Sequence, residues 1–171
     1  MNDFMTLAKE RYSVRKFKDQ EVEQEKIDLI IAAGHLAPTA VNNQPQRIYV
    51  IKSAEALEKL RSCTRSHFNA PVVFAIGYNR NENWIRSYDG KNSGDIDASI
   101  VTTHMMLQAK ELGIGSTWVM SFDSLRLKEL LNIPEEIELT ALLPAGYPAD
   151  DAEPSVRHFS YRDLGEVLTY L

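Results

Sequence analysis

The stretch that decides the fold is DIDASIVTTHMMLQAKEL, which runs from Asp95 to Leu112. Its apolar residues are spread almost all the way round a helical wheel instead of forming one stripe. A helix of that kind is buried in a domain core or in a subunit interface. Gly113 follows directly and is well placed to end the helix. We therefore predict a long buried helix at residues 95–112, in the domain core or in a subunit interface.

The sequence on either side of this helix predicts five further helices and four strands. The helices are expected near residues 3–11, 23–37, 54–62, 124–131 and 163–171, and the strands at residues 48–51, 71–78, 116–120 and 137–145. Two helices precede the first strand, and one strand is missing for a comfortable sheet. A mixed α+β sheet therefore fits better than a doubly wound parallel one.

Local signals add detail to two of these helices. Asp3 is expected to cap the first helix, and Ser124 is expected to cap the fifth, because both side chains can accept a backbone N–H. The first helix should turn its apolar residues inward, and these are Phe4, Leu7 and Ala8.

The composition is that of a folded protein and narrows the classes of function. Of the 171 residues, 44% are hydrophobic and 25% are charged, and no repeat or linker divides them. This indicates one domain over residues 1–171. The net charge of -5 argues against a nucleic-acid partner. The first residues lack a secretory apolar region, and no apolar run approaches the ~20 residues that span a bilayer. We therefore expect a cytoplasmic protein without a membrane segment.

Several familiar site patterns are missing from the sequence. Cys63 is the only cysteine, which excludes an internal disulfide and a CxxC motif. The histidines lack metal-ligand spacing, and Asp95 and Asp97 are interpreted as caps of the long helix, so no metal site is predicted. The glycines at 113 and 115 follow a helix instead of opening one, which argues against a Rossmann dinucleotide site.

The segment Arg11-Tyr12-Ser13-Val14-Arg15 is the first candidate binding site. In an extended chain, alternate residues point the same way, so Arg11, Ser13 and Arg15 would share one face. Two guanidinium groups and a hydroxyl suit a phosphate monoester, because arginine binds such oxygens bidentately. The alternative is a solvated basic strand edge that continues into Lys16 and Lys18.

Two polar loops are further candidates. The segment from Thr39 to Pro45 offers amide side chains that could read the edge of a polar heterocycle, although such residues also bond their own backbone in turns. Trp84, Arg86 and Tyr88 share a loop before the long helix. They could form one wall of a substrate pocket, or they could simply pin the loop.

Taken together, these segments resemble the nitroreductase family of FMN-dependent oxidoreductases. RYSVRKF at residues 11–17 is similar to the family's R-x-S-x-R phosphate motif, and APTAVNNQP at 37–45 is similar to its A-P-S-x-x-N-x-Q-P loop. Further likenesses follow in the same order over about 140 residues, at 97–100 with 106–109, 112–118 and 143–148. The ordered series favours the phosphate interpretation of residues 11–15.

The resemblance implies a nitroreductase-like α+β fold, in which helices flank a mixed, largely antiparallel sheet and the long buried helix lies at the interface of a homodimer. FMN would bind at that subunit interface. One subunit would hold phosphate and ribityl through residues 11–15, and the other would approach through residues 38–44. Arg162 would add to the phosphate site, with Arg157 as its competitor, and the 146–147 turn matches a family turn. The residues so assigned to the cofactor are Arg11, Tyr12, Ser13, Arg15, Pro38, Thr39, Ala40, Asn42, Gln44, Met120, Ser121 and Arg162.

The implied activity is electron transfer from NADH or NADPH to a small organic acceptor, such as a nitroaromatic or a quinone, by a ping-pong mechanism. Because the flavin carries the hydride chemistry, no catalytic side chain is expected. A flavin carrier or sensor, and a dehalogenating or flavin-degrading relative, are the alternatives. Thr39-Ala40 replaces two serines of the family, and Met120-Ser121 replaces Glu-Gly or Gly-Gly.

Overall fold

The structure is a computed structural model, and it describes residues 3–171. Its helices are α1 (Phe4–Glu10), α2 (Gln24–His35), α3 (Ala54–Arg61), α4 (Gly94–Glu111), α5 (Ser124–Leu131) and α6 (Leu164–Val167). Its strands are β1 (Gln46–Ile51), β2 (Val72–Asn79), β3 (Gly115–Ser116) and β4 (Ile137–Gly146). Short 3-10 helices lie at Ala40–Asn42 and Val156–Phe159. The order of helices and strands is the predicted one.

The sheet has the strand order β1-β2-β4-β3, and each pair of neighbouring strands is antiparallel. At the β3 edge, Ser13 forms a parallel bridge with Ser116. The extended N-terminal segment therefore lies along this edge of the four-stranded sheet and joins it by a single bridge. The expected mixed, largely antiparallel α+β fold is confirmed.

Helix α4 lies in the core, which is one of the two places that its sequence allowed. Ala98, Val101, Met105 and Ala109 have no exposed surface. The helix packs against α2 and β2, and Gly34 of α2 makes this approach possible, since a Cβ there would lie 2.8 Å from Met105 Cγ. One strip of α4 stays open in the single chain.

The sheet lies between two helical layers because alternate residues of its strands face opposite sides. On β2, Phe74 packs with α2 and α4, whereas Val73 packs in the cluster that holds α3 and α5. Leu60 and Leu127 are fully buried in that second cluster. No helix within residues 3–171 combines the length and apolar character needed to cross a membrane.

The structure corrects several local predictions. Phe4 is 65% exposed and α1 has no buried residue, so its apolar face does not point inward. Asp123 caps α5 in place of Ser124, because its side chain accepts the Arg126 N–H at 3.0 Å. The third strand stops at Ser116, and only a single bridge at Val119 rejoins β4.

The last helix is also shorter than predicted. It covers Leu164–Val167 instead of residues 163–171. Its apolar residues are exposed, so no packing within the chain supports a longer helix.

Candidate functional site

The segment Arg11–Lys18 is held in an extended conformation at the edge of the sheet. Val14 N donates to Ser116 O at 3.0 Å, and Lys18 N donates to Tyr147 O at 2.8 Å. Val14 is 2% exposed, whereas Arg15 is exposed. The alternation predicted from sequence is therefore present, with Val14 turned inward and Arg15 turned outward.

Gly115 allows this segment to lie close to β3. A Cβ at position 115 would lie 2.6 Å from Val14 Cγ2 and 2.9 Å from Val14 Cβ, which is closer than real contacts. Only glycine fits beneath Val14 without a shift of the segment. Gly115 therefore determines how close the segment that carries Arg11 and Arg15 lies to β3.

Three arginines meet in one cavity of about 470 Å³ beside this segment. None of its lining residues is acidic, and Arg11, Arg15 and Arg157 form no ion pair within residues 3–171. The cavity is therefore strongly positive in a protein whose net charge is -5. It is lined by Ala8, Arg11, Ser13, Arg15, Ser155, Arg157, His158, Ser160 and Tyr161.

The C-terminal segment closes the cavity by folding back on the N-terminal residues. Tyr12 Oη donates to Ala152 O at 3.2 Å, and His158 Nε2 lies 3.2 Å from Lys9 O. The Tyr12 and His158 rings meet edge to face at 6.3 Å. These contacts bring Arg157 into the cavity.

The structure places the two competing C-terminal arginines differently. Arg157 lines the cavity, whereas Arg162 Nη1 donates to Glu166 Oε2 at 3.2 Å and is not among the lining residues. Sequence reasoning named Arg162 first because it stands before a predicted helix. Ser155 accepts the Arg157 N–H at 3.3 Å, but this local contact does not distinguish the two arginines, because the position of Arg157 depends on the fold-back of the C-terminal segment.

The second predicted half of the site, the loop at residues 38–44, is held by a buried carboxylate. Asp97 is 1% exposed. Its Oδ1 accepts the Ala40 N–H at 2.9 Å, and its Oδ2 accepts the Ser93 hydroxyl at 2.6 Å. Sequence reasoning assigned Asp97 to capping and missed its contact with the loop. The carboxylate therefore joins the start of α4 to the predicted cofactor loop.

The backbone of this loop is strained. Val41, Asn42 and Gln44 have φ angles of 47°, 59° and 52°, in the left-handed region. A β-branched residue such as Val41 rarely adopts that conformation. Thr39 Oγ1 accepts the Gln44 N–H at 3.0 Å and so closes the loop. Strain of this kind persists only where surrounding contacts enforce it, and it is commonly found at functional sites.

The two halves of the predicted site lie at opposite ends of α4. The 38–44 loop is bonded to Asp97 near the start of the helix, whereas Lys110 near its end lies 3.5 Å from Glu10, next to Arg11. Thirteen residues of helix separate Asp97 from Lys110, which amounts to about 20 Å. One phosphate therefore cannot contact both halves within a single chain.

The predicted flavin-edge residues, Met120 and Ser121, follow the strand that carries Ser116. Ser116 pairs with Ala145 of β4 and Val119 with Leu142, so the segment between them runs along β4 in an extended conformation. Met120 is 70% exposed, and the Ser121 carbonyl accepts the Thr64 hydroxyl at 2.6 Å. A cavity of about 310 Å³ opens beside Met120.

The loop with Trp84, Arg86 and Tyr88 stands apart from these cavities. Ile85 and Asn92 form an antiparallel bridge within the loop, and Tyr88 is 95% exposed. Arg86 pairs with Asp89 through two hydrogen bonds, which raises the pKa of Arg86. None of the three residues lines the cavities described above. Their role in a substrate pocket stays a prediction.

Tyr147, in the turn after β4, is engaged within the chain. Its hydroxyl donates to Glu23 Oε2 at 2.7 Å and accepts from Lys26 Nζ at 2.5 Å. The hydrogen bond from Tyr147 lowers the pKa of Glu23, and the bond to Tyr147 raises the pKa of Lys26. Tyr147 therefore fastens the start of α2 to the turn that holds Lys18.

Metal chemistry has no candidate centre in the described part of the chain. No group of three or more His, Cys, Asp or Glu side chains in residues 3–171 could hold a metal ion. Cys63 is buried behind α3 and its thiol donates to Lys59 O at 3.4 Å.

Comparison with known proteins gives the family. A model described as the nitroreductase family matches residues 8–69 and 65–147. A protein of Methanothermobacter thermautotrophicus, named provisionally as an NADH dehydrogenase/NAD(P)H nitroreductase, is 30% identical over 87% of this chain and 79% of its own length.

Two solved structures are similar over almost the whole chain. A nitroreductase family protein of Clostridium difficile 630 is 39% identical, with a TM-score of 0.92 over 99% of this chain and 98% of its own. A Desulfovibrio desulfuricans protein in complex with FMN is 28% identical, with a TM-score of 0.85 over 100% of this chain and 98% of its own. The chain belongs to the nitroreductase family.

Proposed function

We propose that this protein is an FMN-dependent oxidoreductase that passes electrons from NADH or NADPH to a small organic acceptor. The observation that carries the proposal is the cavity in which Arg11, Arg15 and Arg157 meet without a carboxylate. A phosphate monoester has a charge near -2 and three acceptor oxygens, which fits three guanidinium groups and the Ser13 hydroxyl. The FMN bound to the Desulfovibrio relative supports the same ligand.

The remaining contacts with FMN would be made to its ring by residues farther from the phosphate site. The backbone at Met120 and Ser121 would lie beside the flavin ring, and the 38–44 loop of a second subunit would approach the same ring. Flavin supplies the hydride chemistry when it is bound, so the protein needs to bind, orient and shield it. NAD(P)H and the acceptor would use the exposed flavin face in turn.

A homodimer is part of this proposal. It is inferred from the family resemblance, in which the 38–44 loop of a second subunit approaches the flavin, and it agrees with the position of the two half-sites at opposite ends of α4. Apolar side chains are exposed where a partner would pack, including Phe4 at 65%, Ile96 at 48% and Met120 at 70%. The open strip of α4, around Ile96 and Ile100, would lie in the interface, and its first residue, Asp95, borders the cavity beside Met120.

The experiment that tests the function is an anaerobic titration of the FMN-loaded protein with NADH and with NADPH. We expect the visible flavin absorbance to bleach with at least one nucleotide and to return when a quinone or nitroaromatic is added. Colourless protein that gains no thermal stability from FMN would overturn the flavin assignment. Bound flavin that neither nucleotide bleaches would favour a flavin carrier or sensor instead.

A further inference from the structure

The cavity beside Met120 differs in character from the arginine cavity. Its walls combine aromatic and apolar side chains with polar ones in equal number, and its only charged lining residue among those described is Asp95. Its volume of about 310 Å³ is at the lower end of small-molecule sites. It is lined by Asp95, Ser99, Trp118, Met120, Phe122, Ser124, Leu139 and Thr140.

Asp95 is fixed in place but keeps acceptor capacity. Thr140, which is 8% exposed, donates its hydroxyl to Asp95 Oδ1 at 2.8 Å. No other side-chain hydrogen bond and no ion pair of Asp95 occurs within residues 3–171, so its second oxygen is available to a ligand. Asp97, two residues on, is committed to Ser93 and Ala40 and does not face this cavity.

The geometry points to a pocket for the electron acceptor, and we propose that it prefers a flat aromatic acceptor with a cationic substituent, such as a protonated amine. This inference rests on the proposed function, because it places the acceptor beside the flavin edge expected at Met120. Trp118 and Phe122 offer ring faces for stacking and for contact with a cation. Asp95 would attract the ammonium group and repel a carboxylate.

The preference follows from the opposite charges of the two cavities. An anionic ligand group is favoured at the arginine end of the Ser116–Met120 segment and disfavoured at the Asp95 end. An acceptor with a carboxylate would face Asp95 without a neutralising lysine or arginine among the lining residues. The protein would therefore discriminate between acceptors of equal shape by the sign of the charge on one substituent.

The test uses three acceptors that differ in one para substituent on nitrobenzene: an aminomethyl, a hydroxymethyl and a carboxylate group. In the FMN-loaded protein, Asp95→Asn should lower the ratio of kcat/KM for the amine to that for the alcohol by about three- to fivefold. The same variant should raise the ratio for the carboxylate. Glu111→Gln, at the far exposed end of α4, removes one negative charge as a control and should change neither ratio.

A direct binding measurement tests this inference independently of the proposed function. Calorimetry of the three compounds on the FMN-loaded protein, without NAD(P)H, should show the amine binding most tightly and Asp95→Asn removing that advantage. If flavin is not bleached by either nucleotide, the proposed function fails while the pocket is still tested by binding. Equal effects of Asp95→Asn on all three compounds, or a parallel loss of FMN affinity, would overturn the acceptor pocket.

Discussion

Arg15 shows at the scale of one residue why the basic cavity needs a ligand. Its guanidinium makes a 3.3 Å hydrogen bond to the Ser13 carbonyl, and no carboxylate of residues 3–171 neutralises it. Arg11 and Arg157 also form no ion pair with a carboxylate of residues 3–171. Three like charges in one cavity repel each other, so an anion bound between them relieves that repulsion as well as accepting hydrogen bonds.

The phosphate role gives the first prediction. Arg11→Ala, Arg15→Ala or Arg157→Ala should each weaken FMN binding by roughly 1.5–3 kcal/mol, the scale of a hydrogen bond to a charged group. Arg162→Ala is the matched control and should have little effect, because Arg162 pairs with Glu166 outside the cavity. Fluorescence titration of FMN measures the four variants. A larger loss in Arg162→Ala than in Arg157→Ala would reverse the assignment of the third arginine.

Gly115 gives a second prediction at the same scale. Gly115→Ala should destabilise the protein by about 1–3 kcal/mol, because the new Cβ would overlap Val14. Val14→Ala in the same chain should recover part of the loss by removing the atoms in the way. Gly113→Ala is the control, since its strain comes from a φ of 75° and no atom lies within 4 Å. Urea unfolding of the single and double variants measures how much stability Val14→Ala restores. If Val14→Ala restores as much in Gly113→Ala as in Gly115→Ala, the clash between residues 115 and 14 is contradicted.

At the scale of elements, the helices and strands were predictable because their signals are local. The apolar wheel of α4 and the buried run of β2 can be read from neighbouring residues. The position of Arg157 could not be predicted in this way, because it depends on a contact between Tyr12 and Ala152, which lie 140 residues apart in sequence. The contact of Asp97 with Ala40 was missed for the same reason.

The strained loop at residues 38–44 depends on the contact between Asp97 and Ala40. Asp97→Asn should destabilise the protein by about 1–3 kcal/mol, since the amide nitrogen that replaces Oδ2 cannot accept the hydrogen bond that Ser93 donates, while Oδ1 can still accept the Ala40 N–H. FMN affinity should fall as well, because the loop would lose its strained shape. Glu111→Gln again serves as the control for charge. An unchanged urea midpoint in Asp97→Asn would show that the buried carboxylate does not hold the loop.

Tyr147 predicts a pH dependence for the junction of α2 and β4. The pKa of Glu23 lies below its ordinary value when the protein is folded, chiefly because Tyr147 donates to the carboxylate. The stabilisation is therefore complete above the unfolded pKa and is lost as pH falls through the lower folded pKa. Tyr147→Phe should be less stable than the wild type near neutral pH, and the difference should narrow in acid. Thermal unfolding across pH measures this, and a gap that does not depend on pH would exclude Glu23 as its source.

At the scale of the whole molecule, the positions of the two half-sites bear on how the protein assembles. One chain carries the arginine cavity near the end of α4 and the 38–44 loop near its start. A second copy can bring its loop to the first chain's flavin only if α4 lies in the interface. Assembly and cofactor binding should then depend on each other, as linked equilibria require.

Ile96→Glu tests this linkage. It places a charge on the open strip of α4, where Ile96 is 48% exposed in the single chain, and should raise the dimer dissociation constant at least tenfold, a cost of about 1.4 kcal/mol. FMN affinity should fall with it, although the arginine cavity is untouched. Leu125→Glu is the matched control, because Leu125 is 76% exposed on α5, in the opposite helical layer. Sedimentation with and without FMN gives the oligomeric state, and we expect FMN to restore part of the dimer in the variant. A monomeric Ile96→Glu protein that binds FMN as tightly as the wild type would mean that one chain forms the whole site, and the 38–44 loop would then have to act on something other than a partner's flavin.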